Sequence, residues 1–169
     1  MSASSPSTLA ISLRDVCEQD EPFLYKAFCS TRTDELALVP WTEEQREAFL
    51  RMQFTAQDKY YREHYSKATF QVILLDHELA GRLYVLREEQ LIRILDITLI
   101  PEYRNRGIGT RLIREILDEA NESGRTVQIY VETYNGSLGL FERLGFTKKA
   151  TEGINFLLEW HASKVSTKD

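Results

Sequence analysis

The sequence predicts a mixed α/β (α+β) domain with a mostly antiparallel sheet of about seven strands flanked by about four helices. Three observations carry that prediction. Short apolar runs with a period of two recur along the chain, and amphipathic stretches with a helical period lie between some of them but not others. Hairpins and β-α-β crossovers are therefore mixed in one sheet. At 169 residues the chain fits one domain of ordinary size, expected over residues 9–162 with loose ends at 1–8 and 163–169.

In chain order, Leu9, Ile11 and Leu13 alternate with Ala10, Ser12 and Arg14, which predicts a first strand. Asp20 is placed to cap a helix with Pro22 in its first turn and an apolar stripe of Leu24, Ala27 and Phe28. Thr42 and Gln45 have capping-box spacing, and Phe49, Met52, Ala56 and Tyr60 predict a second, longer helix to about Arg62. The period then changes. Thr69 to Leu75, the turn Asp76-His77-Glu78 and Leu79 to Leu86 read as a β-hairpin, and a further strand from Leu91 to Ile100 is halted by Pro101.

The next helix has the clearest pattern: Ile108, Leu112, Ile113, Ile116, Leu117 and Ala120 on one face, Arg111, Arg114, Glu115 and Asp118 on the other, with Gly124 as its stop. Thr126 to Glu132 reads as a strand and Ser137 to Leu144 as a short helix. Phe146 to Ala150 and Ile154 to Trp160 close the chain as a hairpin, with Ile154, Phe156, Leu158 and Trp160 on one face.

Composition excludes several function classes. Hydrophobic residues make up 43% and charged residues 28%, the balance of a soluble globular protein rather than a disordered one. A net charge of -5 and a pI near 5.3 oppose a general nucleic-acid or anionic-membrane binder, which needs a cationic surface. Cys17 and Cys29 form no CxxC, and His64, His77 and His161 have no metal-ligand spacing, so neither a disulfide framework nor a metal is expected. The cysteines read as inert thiols in a reducing compartment. No apolar run reaches the roughly 18 residues of a membrane span, and Met1 to Thr8 lacks a signal-peptide pattern, so a cytoplasmic location is expected.

The chemistry concentrates in Arg104-Asn105-Arg106-Gly107-Ile108-Gly109-Thr110, between a strand and a helix. A helix N-terminus presents unsatisfied N–H groups and the positive end of its dipole, and glycines let an anion approach that backbone. A pyrophosphate or similar polyanion is the expected ligand. No Gly-Lys-Ser or Gly-Lys-Thr occurs, which disfavours a P-loop, and Leu112 stands where a dinucleotide fingerprint needs its third glycine. Taken alone, a GxG turn is more often the plain start of a helix with solvated arginines.

The loop does not stand alone. The R-x-x-G-x-G pattern after a strand ending in Pro101, the amphipathic helix, the strand, Asn135 and Leu140-Phe141-Glu142-Arg143-Leu144-Gly145-Phe146 together resemble the GNAT (N-acetyltransferase) superfamily over roughly Ala68 to Trp160. That resemblance implies acetyl-CoA as co-substrate, with its pantetheine arm in a splayed parallel pair formed by Leu91–Ile100 and Thr126–Glu132. It implies that the backbone of Ile97, Thr98, Leu99 and Ile100 faces the pantetheine and thioester, that Arg104 to Thr110 hold the pyrophosphate, that Asn135 touches the pantetheine arm or caps the helix, and that Phe141 lines the channel.

The resemblance also implies transfer of an acetyl group to a primary amine by direct attack in a ternary complex. Such an amine is mostly protonated at neutral pH, its pKa being about 10, so a base must remove a proton before attack. Asp96 and Glu132, near strand ends, are both candidates. Many relatives carry a tyrosine where this chain has Phe141, so the leaving thiolate would take its proton from Tyr134, Tyr130 or water. Gly136 also replaces a proline common in relatives.

Nine of the aromatic residues lie between Asp20 and Tyr65, where helices of the resembled fold usually wall the acceptor site. With Asp34 and Glu35 they would suit a cationic amine, although most such rings are expected to be core, with loop residue Trp41 the leading exception. The expected acceptor is a small-molecule or peptide amine, with no nucleic-acid or membrane partner and a monomeric or homodimeric state. A coenzyme-binding regulatory module without turnover is the alternative.

Overall fold

Where apolar residues recur at alternate positions the chain forms strands, and where they recur at three and four it forms helices. The computed structural model describes residues 10–163. Leu9 and the expected loose ends lie outside them, Ser163 excepted. The elements are β1 (Ile11–Asp15), α1 (Glu21–Ser30), α2 (Thr33–Ala37), α3 (Glu43–His64), β2 (Thr69–Leu75), β3 (Glu78–Arg87), β4 (Leu91–Leu99), α4 (Ile108–Ser123), β5 (Thr126–Glu132), α5 (Leu138–Arg143), β6 (Thr147–Glu152) and β7 (Asn155–Trp160), with 3-10 turns at Glu18–Asp20 and Pro101–Tyr103. Seven strands order as β1-β2-β3-β4-β5-β7-β6. β4 and β5 are parallel, whereas β1–β2, β5–β7 and β6–β7 are antiparallel. The described chain divides into two compact units, one of residues 10–66, 70–83 and 98–106, the other of residues 67–69, 84–97 and 107–163.

In the first unit, Leu24, Ala27 and Phe28 of α1 are buried as their spacing predicts. Leu24 and Phe28 pack with Phe54 of α3 and Val72 of β2, and Phe54 meets Tyr25 and Phe28 edge-on at 5.5 Å each. Each fully buried side chain of this size stabilises the fold by roughly 1.5–3 kcal/mol. The capping box forms: Gln45 N–H donates to Thr42 Oγ1 at 3.2 Å, and Thr42 N–H donates to Gln45 Oε1 at 2.9 Å. The stripe expected along α3 is wrong, however. Met52 is 60% exposed and Tyr60 49%, while Phe54 is buried. The inward face runs through Arg46, Leu50, Gln53, Phe54, Gln57 and Tyr61, so half its members are polar and the hydrophobic period is masked. Gln57 has a reason to be there, since its Oε1 accepts from Nη2 of the buried Arg82 of β3 at 2.9 Å.

Asp20 precedes α1 but does not cap it with its side chain. Its carboxylate is buried and accepts two bonds from the Arg14 guanidinium, at 2.8 Å each, and one from the Cys17 N–H at 2.8 Å. These donors, Arg14 foremost, outweigh burial and hold the Asp20 carboxyl well below the usual carboxylate range. The β2–β3 turn is formed by Asp76 and His77 at φ of 48° and 70°, the left-handed pair of a two-residue hairpin.

Gly81 of β3 is required by a close approach. A Cβ there would lie 2.1 Å from the Thr98 carbonyl oxygen and 3.1 Å from Leu99 Cα.

In the second unit, the α4 stripe of Ile108, Leu112, Ile113, Ile116, Leu117 and Ala120 is buried as expected, and α4 ends at Gly124 with φ of 68°. Val127, Ile129 and Val131 of β5 are buried on the face they share with Trp160, Leu158 and Phe156 of β7. Ile154, expected on that face, lies before β7 and is 59% exposed. On the opposite face the buried carboxylate of Glu159 accepts from Gln128 (2.6 Å), Lys149 (2.9 Å) and His161 (2.6 Å). Burial would push this carboxyl up, but Gln128 and Lys149 hold it below its ordinary value.

Two outcomes follow for stability. Because the Asp20 carboxyl is depressed in the folded state, its contribution is fully present above about pH 4, the unfolded value, and is lost as pH falls toward the folded one. Asp20→Asn is expected to cost about 2 kcal/mol at neutral pH in urea denaturation, and its difference from the wild type to narrow progressively below about pH 4; a difference independent of pH contradicts this. Gly81→Ala is expected to cost about 2 kcal/mol or more, since neither Thr98 O nor the Leu99 backbone can withdraw freely. An unchanged denaturation midpoint would show that the strand relaxes around the methyl.

Candidate active site

In the second unit the parallel ladder is short. β4 and β5 pair from Leu91↔Thr126 to Ile94↔Ile129, whereas β5 stays in register with β7 through Glu132↔Asn155. Beyond Ile94 and Ile129 the two parallel strands no longer share a register, which is the splay implied by the resemblance. Asp96 of β4 and Glu132 at the end of β5 are both half-buried in this stretch, and Tyr130 is 41% and Tyr134 59% exposed.

Beyond β5 the chain turns tightly. Asn135 N–H donates to the Glu132 carbonyl at 2.9 Å, and Asn135 Oδ1 accepts from Ser137 N–H at 2.8 Å, so the Asn135 side chain shapes the entry to α5. Phe141 is buried and packs edge-on against Phe146 at 5.4 Å. Its ring thus has a core role in this structure, and the channel-lining role is a separate expectation.

The start of α4 presents backbone donors without partners. Gly107 is the N-cap at φ of 79° and ψ of 5°, in the left-handed region, and supplies no side-chain cap. A Cβ there would meet nothing within 4 Å, so backbone conformation and not space demands glycine. The first helical bond runs from Arg111 N–H to the Gly107 carbonyl at 3.0 Å. Among the described residues the amides of Ile108, Gly109 and Thr110 have no acceptor, and the first turn carries no acidic residue. Three N–H groups and the positive end of the helix dipole are left for an external anion.

The first unit contains the segment leading up to Gly107. Asn105 is left-handed at φ of 60°. Arg106 is exposed, with its guanidinium 5.4 Å from the centre of the Tyr103 ring. Arg104 is differently placed: its Nε donates to the Leu99 carbonyl at 2.9 Å and its Nη2 to Ser30 Oγ at 3.1 Å. The Ile100 amide donates to the Ala80 carbonyl at 2.9 Å, and the Ile100 carbonyl accepts from Tyr103 N–H at 3.0 Å. The Thr98 carbonyl lies against Gly81. Of the four residues expected to face a cofactor with their backbone, Ile97 to Ile100, Ile100 therefore has both groups satisfied within the chain.

Elsewhere in the first unit, Phe23, Tyr25, Phe28 and Phe54 belong to the core. Trp41 is 36% exposed and packs edge-on against Phe49 at 5.0 Å, and Leu38, three residues earlier, is exposed. Burial, followed by a hydrogen bond with Cys29, pushes the Tyr25 hydroxyl up. Sequence reasoning missed α2, which carries Asp34 and Glu35 on its exposed surface. It also missed the Glu159 cluster, whose residues are scattered over β5, β6, β7 and the segment after β7. Arg93↔Gln128 pairing places that cluster at the paired end of the β4–β5 ladder, not at its open end.

No helix among the described residues is long and apolar enough to cross a membrane. Over 66 residues the chain is 35% identical to an uncharacterised N-acetyltransferase of Methanocaldococcus jannaschii, a match covering 38% of this chain and 29% of that relative's length. The structure resembles PaiA N-acetyltransferase from Thermoplasma acidophilum in complex with coenzyme A, with a TM-score of 0.67 and 20% identity over 90% of this chain and 99% of that one. It also resembles the ribosomal-protein-S18-alanine N-acetyltransferase from Escherichia coli, with a TM-score of 0.60 and 15% identity over 94% and 98% of the two chains. At these identities the likeness establishes the fold. A family model, the acetyltransferase (GNAT) family, matches residues 30–146, and with the splayed parallel strands and the uncapped glycine start of α4 the chain belongs to that family.

Proposed function

We propose that the protein is an acetyl-CoA-dependent N-acetyltransferase that moves the acetyl group from the thioester to a primary amine by direct attack in a ternary complex. The observation that carries this reading is the start of α4, where the amides of Ile108, Gly109 and Thr110 lack acceptors behind a left-handed Gly107. A diphosphate fits such a turn, and Arg106 adds an exposed positive charge beside it in the sequence. The coenzyme A carried by the Thermoplasma neighbour supports the same ligand here. The open stretch of β4 and β5 suits an extended arm bearing amides, which pairs with strand backbone as another strand would.

The transfer then balances as follows. A carboxylate, Asp96 or Glu132, takes a proton from the ammonium, directly or through water. The freed amine attacks the thioester carbonyl and its nitrogen–carbon bond forms; the nitrogen then gives up its second proton, directly or through Tyr134, Tyr130 or water, to the departing sulfur as the oxyanion collapses and the carbon–sulfur bond breaks. Backbone N–H groups aimed at that oxyanion stabilise the transition state by about 3 kcal/mol each. The departing thiolate has an ordinary pKa near 8–9, so Tyr134, Tyr130 or water suffices to protonate it, and Phe141 has no proton to give. We read the acceptor as a small-molecule or peptide amine, residues 9–162 as the functional domain, and the setting as cytoplasmic, without metal, nucleic acid or membrane and with a monomeric or homodimeric chain. The absence of a hydroxyl at the buried Phe141 favours one second reading, a module that binds acyl-CoA without efficient turnover.

Incubation with acetyl-CoA and a panel of putrescine, tyramine and a short peptide with a free amino terminus distinguishes the two: thiol release that depends on the amine supports the enzyme, and tight coenzyme A binding without release supports the module. Arg106→Glu is expected to weaken coenzyme A binding by about tenfold or more in calorimetric titration without a change in thermal midpoint; unchanged affinity removes the loop from the site. Either Asp96→Asn or Glu132→Gln is expected to lower turnover with coenzyme A affinity retained, and with partial rescue at higher pH, where more amine is already neutral. Full rates in both variants would eliminate both carboxylates as the base.

A further inference from the structure

The geometry points to Arg104 as a positioning residue that braces the end of β4 to the end of α1, rather than as a ligand for the diphosphate. The planar guanidinium has a side edge made by Nε and Nη2, one of the two edges with which it grips an oxyanion in two-point fashion. In this protein both atoms of that edge are committed, Nε to the Leu99 carbonyl at 2.9 Å and Nη2 to Ser30 Oγ at 3.1 Å. Ser30 Oγ in turn donates to the Ala27 carbonyl at 2.7 Å. The resulting chain runs from the last residue of β4, through the side chains of Arg104 and Ser30, to a carbonyl in the final turn of α1.

Both ends of this brace need it. The last carbonyls of a helix have no partner within the helix, and α1 closes with hydroxyls: Ser30 on Ala27, Thr31 on Phe28 at 2.8 Å and Thr33 on Cys29 at 3.2 Å. The Leu99 carbonyl sits where β4 gives way to the Pro101–Tyr103 turn, next to the Thr98 carbonyl that Gly81 accommodates. Lys26 and Glu102, 3.8 Å apart on the surface, tie the same two segments a second time. Residues after α1, Thr33–Ala37 and the exposed Leu38 and Trp41, are thereby linked to the strand end from which the Arg104–Arg106 loop departs. Resting on the coenzyme A reading above, the brace transmits occupation of that loop to the α1–α2 segment.

Charge and geometry separate the two roles. Arg104→Lys keeps the positive charge but cannot reach both oxygens with a planar edge, and Arg104→Met keeps neither. For a brace, both variants are expected to bind coenzyme A within about threefold of the wild type, and coenzyme A is expected to slow amide hydrogen exchange at residues 30–33 in the wild type but in neither variant. In the ligand-free chain, Arg104→Met and Ser30→Ala are each expected to lower the folded-to-unfolded ratio by about fivefold, and the double variant to be no worse than the poorer single one. A loss of coenzyme A affinity of about tenfold in Arg104→Met that Arg104→Lys largely restores would make Arg104 a phosphate ligand and overturn the proposal, as would additive losses in the ligand-free cycle. If the wild type binds no coenzyme A the cofactor reading fails by itself, and the ligand-free cycle still decides the brace.

Discussion

The candidate site depends on one constraint: parallel β4 and β5 share four register pairs, Leu91↔Thr126 to Ile94↔Ile129, and then part while β5 remains laddered to β7. A sheet that opens in its interior gives up inter-strand hydrogen bonds that a soluble protein otherwise makes almost everywhere. The loss is confined by strong pairing at the other end. There Arg93 bonds Gln128 at 3.2 Å and Gln128 bonds the buried Glu159, which Lys149 and His161 also hold. The polar cluster fastens the closed end of the strand pair, and the open end becomes available to a ligand with amides of its own.

Helix ends show the same division between structure and function. α3 opens with a reciprocal capping box in which Thr42 and Gln45 satisfy each other's backbone, a device worth about 1 kcal/mol. α4, the most regular helix by its buried stripe, opens on a glycine with no cap at all. A helix stabilised by six buried apolar residues can leave its first turn unsatisfied.

Much of this was legible in the sequence because burial is written in period. β5 was read to the residue, and the α4 stripe was read in full, since each apolar position there is buried and Arg111, Arg114, Glu115 and Asp118 opposite it are exposed. α3 was misread because its inner face includes Arg46, Gln53 and Gln57, and no count of apolar residues can find a glutamine placed to satisfy Arg82. Asp20 looked like a helix cap by position, but a guanidinium six residues earlier had the stronger claim on its carboxylate. The site divides likewise. The left-handed glycine and the uncapped amides follow from local sequence, whereas Arg104 turning back to Leu99 and Ser30 is a tertiary fact, because Ser30 lies 74 residues away. Phe141 and Asn135 were found by motif, and the structure shows the packing and turn-forming work that each already does.

β6 lies at the margin of the sheet with only β7 beside it. Its register slips between Lys148 and Ala150, and Lys148, Lys149 and Glu152 project charge along it. A flat, apolar margin is a template on which another chain can add a strand and from which fibres grow. A kinked and ionised margin offers no such template, so the C-terminal hairpin terminates the sheet in crowded solution as well as in the single molecule.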